Sequence, residues 1–174
     1  MSAWSGPFLV ACVLLAGAGV VKAIDPITTV GALRGVGLRI PNGVVRVGGA
    51  FEAALAIAAA LTGAPILALA VGVSYVAFSA FVVVALMWKL PIGSCGCFGR
   101  VDTPPSRGHV VLNVGAVVAC IGAAGASGDA GLLHGLGDLP LAGIPFLALV
   151  GLGAYAAFAT MTVVPQLTAA RSHR

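Results

Sequence analysis

Charged residues are scarce in this sequence. Asp, Glu, Lys and Arg make up 8% of the 174 residues, aromatic residues make up 6%, and 60% of the residues are hydrophobic. Because a soluble globular domain carries about 25% charged residues, this composition excludes an ordinary soluble fold and predicts a chain that lies in a lipid bilayer. The net charge of +4 is spread thinly, so we expect no binding of nucleic acid.

The sequence also lacks the alternating apolar and polar pattern of membrane β-strands. Its apolar residues form continuous runs, and its 25 glycines favour close packing between membrane helices. We therefore predict an all-α, polytopic membrane helical bundle in a single domain over residues 1–174. Residues 1–6 contain no Lys or Arg, so we expect the first apolar run to be a retained helix rather than a cleaved signal peptide.

Five apolar runs reach the roughly 17–25 residues that a membrane-spanning helix needs. The predicted spans are residues 8–24, 44–62, 66–88, 109–126 and 141–164. Residues 27–43, between the first two spans, mix apolar side chains with Arg and Pro. This mixture predicts a short interfacial helix followed by a turn.

All the basic residues fall on one side of the membrane in this five-span arrangement. The nine residues flank the first and third loops or lie in the C-terminal tail: Lys22, Arg34, Arg39, Arg46, Lys89, Arg100, Arg107, Arg171 and Arg174. Excess Lys and Arg marks the cytoplasmic side, so the charges predict an external N-terminus and a cytoplasmic third loop.

Two cysteines separated by one residue lie in that third loop, as Cys95-Gly96-Cys97. Glycine permits the backbone angles of a small, strained disulfide ring, and strain favours thiol–disulfide exchange over permanent cross-linking. The nearby cation of Arg100 would stabilise the thiolate, which is the nucleophile in such exchange. The pair therefore predicts a redox site.

Two other interpretations of the pair stay open. The cysteines could be an inert pair in a loop, or they could bind a metal through two thiolates. Only His109 is a further ligand nearby, and structural zinc sites use four protein ligands. We therefore predict thiol–disulfide exchange at Cys95 and Cys97 and no metal site.

An acidic residue, Glu52, lies within the second predicted span. An ionisable side chain inside a membrane is costly and is a functional hypothesis by default. Glu52 could pair with Lys22 or bridge to Asn113, or it could accept the protons that thiol–disulfide exchange releases. Alternating helix directions place five polar residues in the half of the membrane nearest the dithiol, where they predict a polar pocket: Lys22, Arg46, Glu52, Ser79 and Asn113.

Two further cysteines, Cys12 and Cys120, fall in the opposite half of the membrane. They could form a second thiol pair that relays electrons across the bilayer. Single cysteines on apolar helices also serve as small packed hydrophobic residues. Both interpretations remain open at this stage.

The combined pattern resembles the MauE methylamine-utilisation membrane proteins, within the wider DoxX-like group. The resemblance covers about the first two thirds of the chain, and its most specific part is the Cys-Gly-Cys-Phe-Gly motif. It is carried by Gly19-Val20-Val21-Lys22, Pro41, Glu52, Cys95-Gly96-Cys97-Phe98-Gly99 and Asn113. It implies a four-helix DoxX-like core, to which this chain adds a C-terminal helix.

The resemblance also implies a function. Such a protein would act in a bacterial inner membrane with a thioredoxin-like partner, forming or maintaining disulfides of exported proteins. Cys95 and Cys97 would exchange, Arg100 and Glu52 would assist, and Lys22 with Asn113 would give polar support. The redox partner could instead be a quinone. The residues do not distinguish a quinone from a thioredoxin-fold protein.

Two arguments place the dithiol on opposite sides of the membrane. Disulfide formation in exported proteins would place it outside, whereas the basic residues place it inside.

Two different functions also stay open: a non-catalytic scaffold or maturation subunit, and a small-molecule carrier that uses Glu52. The many small residues suit an oligomer as well as a monomer.

Overall fold

The computed structural model describes residues 2–90, 104–126, 131–133 and 140–162. The elements within these ranges are six helices: α1 (Ser5–Ile24), α2 (Ile27–Gly35), α3 (Asn42–Thr62), α4 (Pro65–Met87), α5 (Arg107–Gly125) and α6 (Pro140–Thr162). The described part of the chain contains no strand. The predicted all-α fold is confirmed.

Five of these helices are long and apolar enough to cross a membrane, and only α2 is not among them. The predicted polytopic membrane bundle is therefore confirmed. Each spanning helix begins one to three residues before its predicted start. The reason is that residues outside the apolar runs can form the first helical turn: Pro65, for example, occupies the first turn of α4, where a missing N–H costs nothing.

Local backbone chemistry sets the helix ends. α1 ends at Ile24, before an Asp25-Pro26 pair, since a residue that precedes proline disfavours the helical conformation. Helix α3 ends at Thr62 and is followed by Gly63, whose φ of 64° is the left-handed conformation typical of a helix C-terminus. The turn after Gly63 is short enough to set α3 and α4 side by side.

Helix α1 is the centre of the bundle. It packs most extensively against α3 and also contacts α5 and α6, while α4 packs against α5. The main hydrophobic core combines residues of α1, α3, α4 and α5, with Phe8, Leu15 and Val71 among its largest fully buried side chains. The outward faces of the helices carry many exposed apolar side chains, as expected for surfaces that contact lipid.

Two glycines bring α1 and α3 into backbone contact. A Cβ atom added to Gly19 would lie 2.6 Å from the Gly49 carbonyl oxygen, and one added to Gly49 would lie 2.6 Å from the Gly19 carbonyl oxygen. Small residues permit such close approach, which is a principal source of association between membrane helices. This contact fixes which side chains of α1 and α3 face each other one turn further along.

Neighbouring spans run in opposite directions. Gly72, near the start of α4, faces Cys120, near the end of α5, whereas Val82 and His109 line one cavity at the other end of the same two helices. The ends of α1 and α4 and the starts of α3 and α5 therefore lie together. We call this the basic end, because it carries all the described Lys and Arg residues: Lys22, Arg34, Arg39, Arg46, Lys89 and Arg107.

Helix α2 lies at the basic end, as the predicted short interfacial helix should. Its residue Ala32 packs with Ala85 of α4, and Leu90 packs against the same small cluster. The dithiol falls between Leu90 and Pro104, outside the described residues, but both of these flanking residues belong to the basic end.

Candidate functional site

An ion pair joins α1 to α3 near the basic end. The Lys22 ammonium donates a hydrogen bond to the Glu52 carboxylate, with Nζ 2.5 Å from Oε2. The two side chains are only 6% and 22% exposed. Of the two pairings predicted for Glu52, the structure shows the one with Lys22.

An aromatic ring completes the surroundings of this pair. Lys22 Nζ lies 4.4 Å from the centroid of the Phe78 ring, within range of a cation–π interaction. The close approach of Gly19 to Gly49 explains why Lys22 reaches Glu52: Lys22 follows Gly19 by one helical turn, and Glu52 follows Gly49 by the same distance. Backbone contact thus positions the two charges.

A second group of polar side chains lies on α5. Asn113 is 6% exposed and His109 is 2% exposed. His109 Nδ1 lies 2.8 Å from the Ser106 hydroxyl oxygen, in a hydrogen bond that orients the imidazole ring. His109 and Asn113 line a cavity of about 20 Å³ with Tyr75 and Phe78.

Tyr75 is the polar residue of α4 in this region. Its hydroxyl donates a hydrogen bond at 2.7 Å to the carbonyl oxygen of Ala11, a residue in the interior of α1. Its ring also packs edge-to-face on Phe78, with centroids 6.0 Å apart. Tyr75 therefore ties α4 to α1 and forms a wall of the cavity.

The polar residues predicted to share one pocket do not all line one cavity. Phe78 lies against Lys22 and also lines the Asn113 cavity, but neither Lys22 nor Glu52 is among the residues that line that cavity. The prediction was wrong for Arg46, which is exposed because it lies on a different face of α3 from the buried Val45 and Gly49. The Ser79 hydroxyl oxygen is buried and has no hydrogen-bond partner among the described residues.

The predicted exchange residues Cys95, Cys97 and Arg100 lie outside the described residues. Lys89, which ends the described chain after α4, is exposed and has a φ of 50°. His109, the residue considered as a metal ligand, is buried beside Ser106.

Cys12 and Cys120 are both free and fully buried. They belong to one hydrophobic core cluster together with Phe8, Ala56 and Val71. Their surroundings are those of packed apolar residues, and their predicted role as a second thiol pair stays a prediction.

Sequence reasoning missed the contribution of Tyr75 and considered His109 only as a metal ligand. The signal was present, because a tyrosine in mid-span and a histidine one turn into a span are polar groups in an apolar stretch. Such groups need partners inside the protein, and both have them here.

With this geometry established, comparison with known proteins identifies the family. The family model described as methylamine utilisation protein MauE matches residues 1–126. The chain belongs to the MauE family. The predicted resemblance to MauE is thereby confirmed, and the match includes the Lys22–Glu52 pair, the dithiol and the polar group of α5. The wider DoxX-like grouping stays a prediction.

Helix α6 lies beyond the part of the chain that the MauE model matches. It nevertheless packs against α1, the central helix of the MauE region. No curated protein and no solved structure matches the chain.

Proposed function

We propose that this MauE-family protein is a membrane thiol–disulfide oxidoreductase that uses Cys95 and Cys97. It would act with a thioredoxin-like protein, in the plasma membrane of a bacterium, in disulfide formation or maturation of exported proteins. The description of the matching family names methylamine utilisation. The observation that carries the proposal is the Cys-Gly-Cys motif, which falls inside the family match.

The charges near the dithiol support this chemistry. Lys89 and Arg107 are both exposed, and they flank the chain segment that contains the two cysteines. Positive charge favours the thiolate over the thiol and so increases the fraction of the nucleophilic form. We assign the same role to Arg100.

The exchange balances without a further reagent. A thiolate of the reduced thioredoxin-like partner attacks the disulfide formed by Cys95 and Cys97, which gives a mixed disulfide and releases one thiolate of the pair. The second partner cysteine then displaces the other sulfur of the pair, so the partner becomes a disulfide and the pair becomes a dithiol. Two electrons pass to the pair, and the protons released by the attacking thiols return to the thiolates that leave.

We assign a positioning role to Lys22 and Glu52. Their ion pair holds α1 against α3, and α3 contacts the short helix α2, which lies at the basic end. Glu52 is already bound by Lys22, which favours support of the site over direct proton transfer. Asn113 is the remaining support residue, on the helix that begins after the dithiol segment.

The experiment that tests the proposal is reoxidation of a reduced thioredoxin-fold protein by membranes that contain this chain. The Cys95→Ser and Cys97→Ser variants should each abolish it, since neither can close a disulfide. The Cys120→Ala variant is the control, because Cys120 is buried in the hydrophobic core. Full activity of either serine variant would contradict the proposal and favour a non-catalytic scaffold.

Labelling with a membrane-impermeant maleimide gives the side of the membrane. Intact and lysed cells would be compared, each with and without prior reduction, in a variant that retains only Cys95 and Cys97. Labelling of intact cells after reduction would place an oxidised pair outside. Labelling only after lysis would place the pair in the cytoplasm, as the basic residues predict.

A further inference from the structure

The chain that joins α2 to α3 borders an open cavity at the basic end. The cavity has a volume of about 690 Å³ and is lined by residues of this connection: Arg34, Gly37, Arg39, Ile40 and Pro41. The volume lies within the range of roughly 300–1,000 Å³ typical of ligand sites. Because two of the lining side chains are guanidinium groups, the cavity is suited to an anion.

A turn at the end of α2 brings the two arginines to one cavity. Arg34 lies in the last turn of α2, and Arg39 lies five residues later. Between them the Gly37 amide donates a hydrogen bond to the Arg34 carbonyl oxygen, and the Leu38 amide donates one to the Leu33 carbonyl oxygen, both at 2.9 Å. With Gly37 at a φ of 88°, these bonds form a Schellman turn. In a continuous helix the two arginines would point about 140° apart.

No carboxylate balances the positive charge of this cavity. Residues 26–51 contain three arginines and neither Asp nor Glu. Among the described residues, the Glu52 carboxylate is bound by Lys22, and neither Arg34 nor Arg39 takes part in an ion pair. An anion between the two guanidinium groups would supply the missing counter-charge.

The cavity lies where the chain enters the membrane. Helix α2 is too short to span the bilayer and lies at the basic end, whereas α3, which begins at Asn42, is a spanning helix. The connection between them therefore belongs to the membrane interface, where lipid headgroups lie. Apolar side chains on both sides of the cavity are exposed, with Leu38 51% and Val44 59% accessible. An anion in this cavity would thus have hydrocarbon beside it.

An apolar groove begins two residues after the cavity. It has a volume of about 520 Å³ and is lined by exposed residues on the outer face of α3: Gly43, Val44, Val47, Gly48 and Phe51. Since consecutive Cα atoms are 3.8 Å apart, Pro41 of the cavity and Gly43 of the groove lie within about 7.6 Å of each other. A phospholipid with its phosphate in the cavity can therefore place one acyl chain in the groove.

We propose that the cavity binds the headgroup of an anionic phospholipid, with the phosphate between Arg34 and Arg39 and one acyl chain along α3. Arginine binds phosphate oxygens in pairs, and basic pockets beside membrane helices bind anionic headgroups. A zwitterionic phospholipid would bring its ammonium group close to the two guanidinium groups, which disfavours it. The site uses no residue of the dithiol segment, so it is independent of the proposed redox function.

Three arginines of one segment provide matched variants. Arg34→Gln and Arg39→Gln each remove one charge from the cavity, whereas Arg46→Gln removes one from an exposed residue that does not line it. We expect each cavity variant to weaken lipid binding about fivefold, which corresponds to about 1 kcal/mol for one cation beside an anionic lipid. Arg46→Gln should weaken it less than about twofold, because salt screens a charge outside the cavity.

Two glycines test the shape of the cavity at constant charge. Valine at Gly37 would be strained at a φ of 88° and would open the turn that brings the arginines together, so Gly37→Val should weaken binding at least about fivefold. Gly31 of α2 is also exposed, does not line the cavity, and has open space for a Cβ atom. Gly31→Val should therefore leave binding unchanged.

The experiment is native mass spectrometry of the delipidated full-length protein in detergent micelles. The protein would be titrated with palmitoyl-oleoyl phosphatidylglycerol, or with phosphatidylcholine that has the same acyl chains, and the first bound lipid would be quantified. Phosphatidylglycerol should bind at least about fivefold more tightly than phosphatidylcholine, and the Arg34 and Arg39 variants should lose this preference. The replaced residues are all exposed, so the circular dichroism of each variant should match that of the unsubstituted protein.

Three outcomes would overturn the lipid site. Equal binding of the two lipids would show that the arginines do not select an anionic headgroup. Equal weakening by Arg46→Gln and by the cavity variants would show attraction spread over the whole basic end. Displacement of phosphatidylglycerol by inorganic phosphate at the same concentration would show that the cavity binds a free anion and that the acyl chain contributes nothing.

Discussion

Breaking the Lys22–Glu52 ion pair from one side should destabilise the bundle far more than replacing both partners. The charged atoms lie 2.5 Å apart, and both side chains are largely buried. Removal of one partner leaves an uncompensated charge, which costs about 3–5 kcal/mol, whereas replacing a whole buried pair by apolar residues is often near neutral. Glu52→Gln and Lys22→Met should therefore each lower the free energy of unfolding by about 3–5 kcal/mol.

The double variant Lys22→Met/Glu52→Leu should lose no more than about 2 kcal/mol, which is the value of the cation–π contact with Phe78 that it also lacks. The two single effects would then exceed the double effect by at least about 4 kcal/mol. Such non-additivity is the measure of direct coupling between two residues.

The assay is unfolding in mixed micelles by increasing SDS, followed by loss of helical circular dichroism. Lys89→Met is the control, because Lys89 is an exposed lysine at the same end of the bundle and its replacement should change stability by less than about 0.5 kcal/mol. A double variant destabilised by the sum of the two single effects would refute the reasoning, since the charges would then be acting independently.

Three further predictions concern the core. Tyr75→Phe removes the buried hydrogen bond to α1 and should lower the free energy of unfolding by about 0.6–1.7 kcal/mol; an unchanged SDS midpoint would contradict this. Gly49→Ala should lower the free energy of unfolding by about 1–3 kcal/mol, because the added methyl group would meet the backbone of α1. Gly48→Ala should leave it unchanged in the same assay, because nothing lies within 4 Å of a Cβ atom added there. Cys12→Ala and Cys120→Ala should each lower the free energy of unfolding by about 1 kcal/mol and preserve dithiol exchange. An exchange defect as severe as that of Cys95→Ser or Cys97→Ser would instead establish an electron relay through these two cysteines.

The positions of the spanning helices could be predicted because they depend on one property that is local in the sequence. A run of apolar residues long enough to cross a bilayer must satisfy its own backbone hydrogen bonds, and a helix does so within the run. The predicted starts of the helices differ from the observed starts by one to three residues. The reason is that polar or proline residues such as Ser5 and Pro65 can form a first helical turn outside the apolar run.

The partner of Glu52 could not be predicted in the same way. Lys22 and Asn113 were equally acceptable from composition and depth in the membrane. The choice followed from the contact of Gly19 with Gly49, which rotates α1 and α3 so that Lys22 faces Glu52. That rotation depends on the packing of two helices and has no signal within either one.

The sequence by itself determined that this is a polytopic helical membrane protein of the MauE type, because hydropathy and a short motif are properties of neighbouring residues. Only the tertiary structure decided that Glu52 pairs with Lys22, and that small residues of α5 line a groove between α1, α5 and α6. A groove is the space between helices, and its shape depends on which face each helix turns towards its neighbours. Packing of all the spans together sets those faces.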